Sequence, residues 1–295
     1  MRIDAVRLSR NTERLDGKTV AITGATGGLG GALCRYLLLL GASLLLLDRN
    51  RQKSDALKDA LLKEYPQADI GQITLDLADI VSVKAACAAL EAVPLDVLIH
   101  NAGAYSIPRA RCGTGYDNVF QINFVSPYYI TRRLLPLLRQ RGGRVVVVGS
   151  IAHNYSKSDA ADVDFSTRGR ASLVYGNAKR YLMFSLHELF RGERQASLAV
   201  THPGISFTGI TAHYPPVVFA MIKYPMKIIF MRPRVAALSV LRGVLAPTPY
   251  GTWWGPRLLS VWGRPTLRRL HTCSIQERAD IFTRAEEIYA RISVE

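Results

Sequence analysis

Two residues in one short segment are suited to proton transfer. In ASLVYGNAKRY (171–181), Tyr175 stands four residues before Lys179, a spacing that stacks both side chains on one face of a helix. A phenol with a pKa of about 10 is a poor acid–base group near neutral pH. An ammonium close by stabilises the phenolate and pulls that value down. The pair could therefore take a proton from a hydroxyl, or return one to a carbonyl oxygen. Tyr-x-x-x-Lys also arises from plain helical packing, so the surrounding elements must decide.

Six apolar runs read as strands: KTVAIT (18–23), SLLLLD (43–48), IGQITLD (70–76), LDVLIH (95–100), RVVVVGS (144–150) and SLAVTHP (197–203). Nearly every position in them is apolar, as in strands buried on both faces. Helix-length segments lie between, over 28–41, 51–65, 80–93, 115–140 and 171–192. This alternation predicts an α/β fold, a doubly wound (Rossmann) parallel sheet in one domain with a small C-terminal lid region. Residues 1–16 read as an N-terminal extension and 17–210 as the dinucleotide-binding and catalytic core. Residues 211–295 read as lid helices, a last strand and a C-terminal helix of the same domain. That helix is expected over 274–292, with Ser274 as N-cap and Glu277 completing a capping box.

The first strand runs into TGATGGLG, Thr23 to Gly30. Gly24, Gly28 and Gly30, with Leu29 between the last two, let the backbone turn tightly and a pyrophosphate approach the N–H groups opening the next helix. Asp48 follows about twenty residues later, at the end of the second strand, where a carboxylate can accept both adenosine ribose hydroxyls. Strand, glycines, helix and acid in that order are a specific dinucleotide signal. Asp48 favours NAD; Arg49, next in line, could instead pair with the 2′-phosphate of NADP. Asp76-Leu77 would flank the adenine, Asp76 at its amino edge or simply capping a turn.

Lys plus Arg number 38 against 23 Asp plus Glu, a formal net charge of +15. The basic residues concentrate loosely at 132–144 and 257–269, with no stacking-aromatic or helix-turn-helix module, so solvated basic faces are expected and nucleic-acid binding is not. Hydrophobic residues at 48% and charged ones at 21% exclude a disordered chain. Four cysteines, Cys34, Cys87, Cys112 and Cys273, form no C-x-x-C pair. Neither a metal site nor a disulfide framework is expected, and a reducing, cytoplasmic setting is the natural reading. The polar N-terminus shows no secretory signal.

With these residues in hand the chain resembles the short-chain dehydrogenase/reductase family over roughly 16–210. The resemblance rests on Thr23-Gly24-x-x-x-Gly28-x-Gly30, Asn101-Ala102-Gly103, Asn123, Ser150, Tyr175-x-x-x-Lys179 and Pro203-Gly204-x-x-x-Thr208. SIAH after the fifth strand and VTHPGISFTGI are similar to the retinol-dehydrogenase-like branch. That resemblance implies an NAD(P)-dependent alcohol dehydrogenase or carbonyl reductase acting on a lipophilic molecule of sterol, retinoid or aliphatic type. It also implies that Tyr175 is the base or acid, and that Lys179 tunes it and holds the nicotinamide ribose. Ser150 would donate to the substrate oxygen, and Asn123 would interrupt its helix to hold a relay water. Thr208, after Pro203-Gly204, would bond the nicotinamide carboxamide, and Asn101 with its small neighbours would let the backbone pass the adenosine. Two departures stand out. His100 replaces a common Asn and is expected to be a satisfied core histidine, and Gly149 replaces a common serine.

The segment HYPPVVFAMIKYPMKIIFMRP (213–233) is apolar but broken by Pro215, Pro216 and Pro225, and too interrupted to span a bilayer. It could roof the pocket with Tyr214, Val217, Val218, Phe219, Met221 and Ile222, or pack a core or subunit contact. A third reading docks it peripherally on a membrane through Lys223, Lys227, Arg232 and Arg234. A homo-oligomer is expected to pair through the long fourth and fifth helices. Two other functions compete: a catalytically silent nucleotide sensor, and a sugar-nucleotide epimerase of the extended type, whose Thr-Gly-x-x-Gly-x-x-Gly turn TGATGGLG also satisfies.

Overall fold

The computed structural model describes residues 13–204, 231–270 and 272–294. Eight strands form one sheet in the order β3-β2-β1-β4-β5-β6-β7-β8. They are β1 Thr19–Thr23, β2 Ser43–Asp48, β3 Ile70–Thr74, β4 Leu95–His100, β5 Arg144–Val148, β6 Ser197–Thr201, β7 Thr252–Leu258 and β8 Trp262–Arg269. The first seven are parallel, and β8 alone returns antiparallel from β7. Helices α1 Gly28–Leu39, α2 Arg51–Glu64 and α6 Pro233–Leu245 cover one face. Helices α3 Ile80–Glu91, α4 Ser126–Gln140, α5 Ala171–Leu189 and α7 Ile275–Val294 cover the other.

The expected single last strand is thus a hairpin, β7–β8, reached from β6 through α6, and the whole is one doubly wound α/β domain. The fourth helical segment divides as well. A short turn at Asn118–Phe120 passes into a π-helical Gln121–Val125 before α4 begins. Asn123 sits inside that π-turn, where a widened ladder commonly marks a functional site.

The face expected to pair with another subunit is occupied from within the chain. Ile281, Ala285, Ile288 and Ile292 line one side of α7 and are buried in the same core cluster as α4 and α5. Tyr128 donates to Glu286 Oε1 at 2.5 Å, Arg132 reaches Glu286 Oε2 at 2.8 Å, and Tyr129 packs on Tyr289. The capping box at α7 is half made: Ser274 Oγ accepts the Glu277 N–H at 3.1 Å, but the Glu277 carboxylate points elsewhere. No helix among the described residues is long and apolar enough to cross a membrane. The expected lid residues from Tyr214 to Lys227 lie outside the described residues.

Candidate active site

Strand order reverses between β1 and β4, and open α/β sheets hold ligands in the crevice beyond the carboxyl ends at such a point. A cavity of about 620 Å³ opens there, lined by the glycine turn, Asp48, Arg49, Asp76, Asn101, Ser150, Tyr175, Lys179, Pro203 and Gly204 among others. Thr208 lies outside the described residues.

The glycine turn is braced from β4. Thr23 Oγ1 accepts the N–H groups of Asn101 and Ala102, each at 3.0 Å, and Asn101 Nδ2 donates to the carbonyls of Thr23 at 2.9 Å and Gly24 at 3.0 Å. Asn101 is therefore a strut for the turn, a role beyond giving the adenosine room. A Cβ on Gly30 would strike the Gly24 carbonyl oxygen and come within 2.8 Å of Ala25 Cα, so only glycine lets α1 start so close to β1. No side chain caps α1, leaving the first-turn amides of Gly28 and Leu29 without a side-chain partner and suited to an anion. The cradle fits a pyrophosphate.

Asp48 ends β2 as expected but turns inward. Its Oδ1 accepts Thr26 N at 3.1 Å and Thr26 Oγ1 at 2.9 Å, and its Oδ2 accepts Ser54 Oγ at 3.3 Å. Both oxygens thus already hold the glycine turn and α2. Arg49 stands out beside it with its side chain 72% exposed, its Nε 4.0 Å from Asp76 Oδ2. Lys53, exposed on the first turn of α2, also lines the cavity. Asp76 caps a turn by accepting Ala78 N at 2.9 Å, and Leu77 is buried while its carbonyl accepts Ser126 Oγ at 2.6 Å.

Opposite this end, α5 presents Tyr175 and Lys179 to the cavity, and the 3-10 turn Ile151–Asn154 after β5 presents Ser150 as its N-cap. Gly176 is what brings them together, because a Cβ there would collide with the Ala152 carbonyl. A glycine inside an otherwise well-formed helix, one place after the tyrosine, was the sequence signal for this contact. Gly149 has a similar reason: Met183 Sδ would lie 2.7 Å from its Cβ. Asn123 Nδ2 donates to the carbonyls of Ala104 and Val119, both at 2.8 Å, and its Oδ1 accepts Ala104 N at 3.3 Å. A Cβ on Gly103 would sit 2.8 Å from Asn123 Oδ1 and 3.6 Å from Lys179 Nζ, so the three meet at one wall.

The electrostatics differ from the sequence expectation. Burial pushes the Tyr175 phenol up to about 12; a hydrogen bond with Ser150 pulls it down, and neighbouring Tyr105 and Tyr155 add to the rise. Burial also pushes the Lys179 ammonium down to about 8. Lys179 Nζ donates to the Val148 carbonyl at 2.9 Å and lies 5.7 Å from the centre of the Tyr175 ring. Desolvation therefore outweighs the help the ammonium was expected to give, and the phenol keeps its proton at neutral pH. Tyr105 packs edge-on against Tyr175, centroids 5.4 Å apart at 85°. His100 is a core residue but only half satisfied, against the expectation: its Nε2 lies 2.8 Å from Thr131 Oγ1, its buried Nδ1 has no hydrogen-bond partner among the described residues, and burial holds it neutral at about 3.

One supporting contact was not foreseen. Arg180, beside Lys179 on α5, is 1% exposed. It donates to both Glu277 oxygens, at 2.7 and 2.6 Å, to the His153 carbonyl at 2.9 Å and to the Thr272 carbonyl. Glu277 also accepts Ser158 N at 2.9 Å and Ser158 Oγ at 3.0 Å. Burial alone would raise this carboxyl, but Arg180 and Ser158 outweigh it and hold it at about 2. The clamp ties α7 to the segment carrying Ser150.

A short chain dehydrogenase family model matches residues 18–161. Retinol dehydrogenase 14 of Mus musculus is 33% identical over 214 residues, covering 68% of this chain and 64% of that protein. Its Homo sapiens counterpart is 31% identical over 230 residues, covering 72% and 68%. Among solved structures, an uncharacterized protein from Mycobacterium Paratuberculosis superposes with a TM-score of 0.75 at 23% identity, covering 96% of this chain and 97% of that one, a likeness of fold. The chain spans just under two thirds of the mouse relative's length. With its sheet order, glycine turn and Ser150–Tyr175–Lys179 wall, the chain belongs to the short-chain dehydrogenase/reductase family and is similar to its retinol-dehydrogenase-like members.

Proposed function

We propose that this protein is a nicotinamide-dependent oxidoreductase that interconverts a lipophilic alcohol and its carbonyl compound, with Tyr175 as the proton-transfer group. The observation that carries the reading is the convergence of Tyr175, Lys179 and Ser150 on the cavity that also holds the glycine turn, with Asn123 buried behind Gly103 in its wall. A bound nicotinamide dinucleotide supplies the hydride donor or acceptor. The first-turn amides of Gly28 and Leu29 would hold its pyrophosphate, and Asn101 keeps that turn in shape. Ser150 donates to the substrate oxygen and orients it. Tyr175, protonated at neutral pH, delivers its proton to that oxygen as charge develops, the acid role that carbonyl reduction requires. Lys179 then stabilises the phenolate left behind, and Asn123 fixes the wall beside Lys179.

For the nucleotide, the contacts favour NADP over the NAD suggested by Asp48 alone. Asp48 is engaged by Thr26 and Ser54, while Arg49 and Lys53 offer cations at the same end of the cavity. The apolar part of the wall, from Ile122, Ile151, Tyr105 and Tyr155, suits a greasy substrate of the kind named for the mammalian relatives. The test is turnover of sterol, retinoid and aliphatic ketones with NADPH and NADH. Wild type should reduce at least one class, and Tyr175→Phe should bind NADPH normally and lose turnover. A wild type that binds nucleotide but turns over nothing would instead favour the silent sensor.

A further inference from the structure

The basic excess is not spread evenly. No Asp or Glu stands anywhere between Glu193 and Glu277, a stretch that holds ten Lys or Arg. Of its described part, the β7–β8 hairpin makes one edge of the sheet, and α6 packs on the adjoining face. At the hairpin tip Leu258 and Leu259 are 59% and 74% exposed. Leu259 and Ser260 both adopt positive φ, 51° and 57°, a turn unfavourable for a leucine. Arg268 secures it by donating to the carbonyls of Pro256 and Arg257 and to Ser260 Oγ, at 3.1 to 3.3 Å. Behind the tip Trp262 packs on the core cluster that contains Met231 and α6. The two leucines are thus held outward on an anchored loop.

Around them Arg257, Arg264 and Arg269 are exposed, and among the described residues no carboxylate pairs with any of the three. Charges and Pro265 on β8 would by themselves be ordinary protection of an edge strand. Edge protection does not account for two adjacent exposed leucines at the tip. A second copy of this chain would bring the same uncompensated arginines against these, which is repulsive. Greasy tip and unpaired cations together match a surface that is apolar within and anionic at its face.

We propose that the β7–β8 hairpin docks on an anionic membrane surface, Leu258 and Leu259 entering the acyl boundary and Arg257, Arg264 and Arg269 meeting lipid phosphates. The surface borders the cavity: a Cβ on Gly204 would lie 2.5 Å from the Val261 carbonyl oxygen, and one on Gly28 would lie 3.6 Å from Pro233 Cγ at the start of α6. Docking would therefore set the cavity mouth near the bilayer. Only the consequence that substrate enters from the lipid rests on the function proposed above.

The experiment is co-sedimentation of the full chain with phosphatidylcholine vesicles, with and without phosphatidylserine, over a salt series. Binding should require phosphatidylserine and weaken as salt rises. The L258D/L259D variant should bind about tenfold more weakly per leucine. R257Q/R264Q/R269Q should lose about fivefold per arginine. Melting temperature and NADPH affinity should be unchanged in both, which separates docking from folding and from catalysis. Absence of phosphatidylserine-dependent binding, or binding that survives both variants, would overturn the proposal. So would a result in which the same variants abolish dimerisation by light scattering, or duplex DNA binding, while vesicles are ignored.

Discussion

Replacing Lys179 by methionine should make the protein more stable and inactive at once. The ammonium is 2% exposed and has a single hydrogen-bond acceptor among the described residues, the Val148 carbonyl at 2.9 Å. Burial lowers its pKa from 10.5 to about 8. At 1.36 kcal/mol per pH unit this corresponds to about 3 kcal/mol against folding at pH 7. Methionine keeps the apolar stem but leaves the Val148 oxygen without its donor, a loss of about 1 kcal/mol. A net gain of about 2 kcal/mol remains, or roughly 3 °C in melting temperature for a chain of 295 residues.

The pH dependence carries the sign. Below pH 8 the amine is protonated in both folded and unfolded chains, and its cost is fully present. Between about 8 and 10.5 the folded chain has released the proton that the unfolded chain still binds, so wild-type stability rises with pH. The advantage of Lys179→Met should therefore shrink across that window. Differential scanning fluorimetry of both proteins from pH 6 to about 10.5 measures it, and ketone turnover should fall at least about a hundredfold in the same variant. A variant that melts lower than wild type at pH 7, or a gap that stays constant with pH, would refute the assignment of a desolvated ammonium at this site.

Gly30→Ala drives a methyl into the Gly24 carbonyl and should abolish NADPH binding by isothermal titration while the far-UV spectrum stays native. Arg49→Ala should cost NADPH about tenfold in affinity, the scale of one charged hydrogen bond, and leave NADH unaffected; equal loss for both nucleotides would remove Arg49 from phosphate recognition. Glu277→Ala leaves the buried Arg180 guanidinium without its carboxylate and should destabilise the fold by about 3 kcal/mol in urea titrations at pH 7. Because Glu277 is held at about 2, below its ordinary 4.5, the stability it contributes is present above pH 4.5 and lost as pH falls toward 2. The gap between variant and wild type should close in that acid window.

The strands β1 to β6 were legible because a strand buried on both faces needs an unbroken apolar run, and SLLLLD or RVVVV has little other use. The antiparallel β8 was not: WGRPTLRR is half exposed at a sheet edge, so neither continuous apolarity nor alternation marks it. Site residues were legible where spacing alone brings them together, as with Tyr175 and Lys179 on α5. They were obscure where a tertiary partner sets the role. Nothing in SLLLLD says that Thr26 and Ser54 will claim the Asp48 oxygens, and four-residue spacing conveys proximity but not dielectric. The phenol was expected to fall and stands near 12 for that reason.

Lys179 and Arg180 show the same limit within a single dipeptide. Both are buried cations on one helix, 2% and 1% exposed. Arg180 meets a carboxylate and two carbonyls, so its charge is compensated and the pair fastens α7 to the Ser150 segment. Lys179 meets one carbonyl, and its charge is poised near pH 8. A guanidinium cannot shed its proton and so is retained inside only with full partners, whereas an amine left short of partners becomes able to exchange one. What distinguishes brace from reactive group is the number of acceptors each finds. The carboxylate that decides it for Arg180 lies 97 residues downstream, beyond the reach of any local pattern.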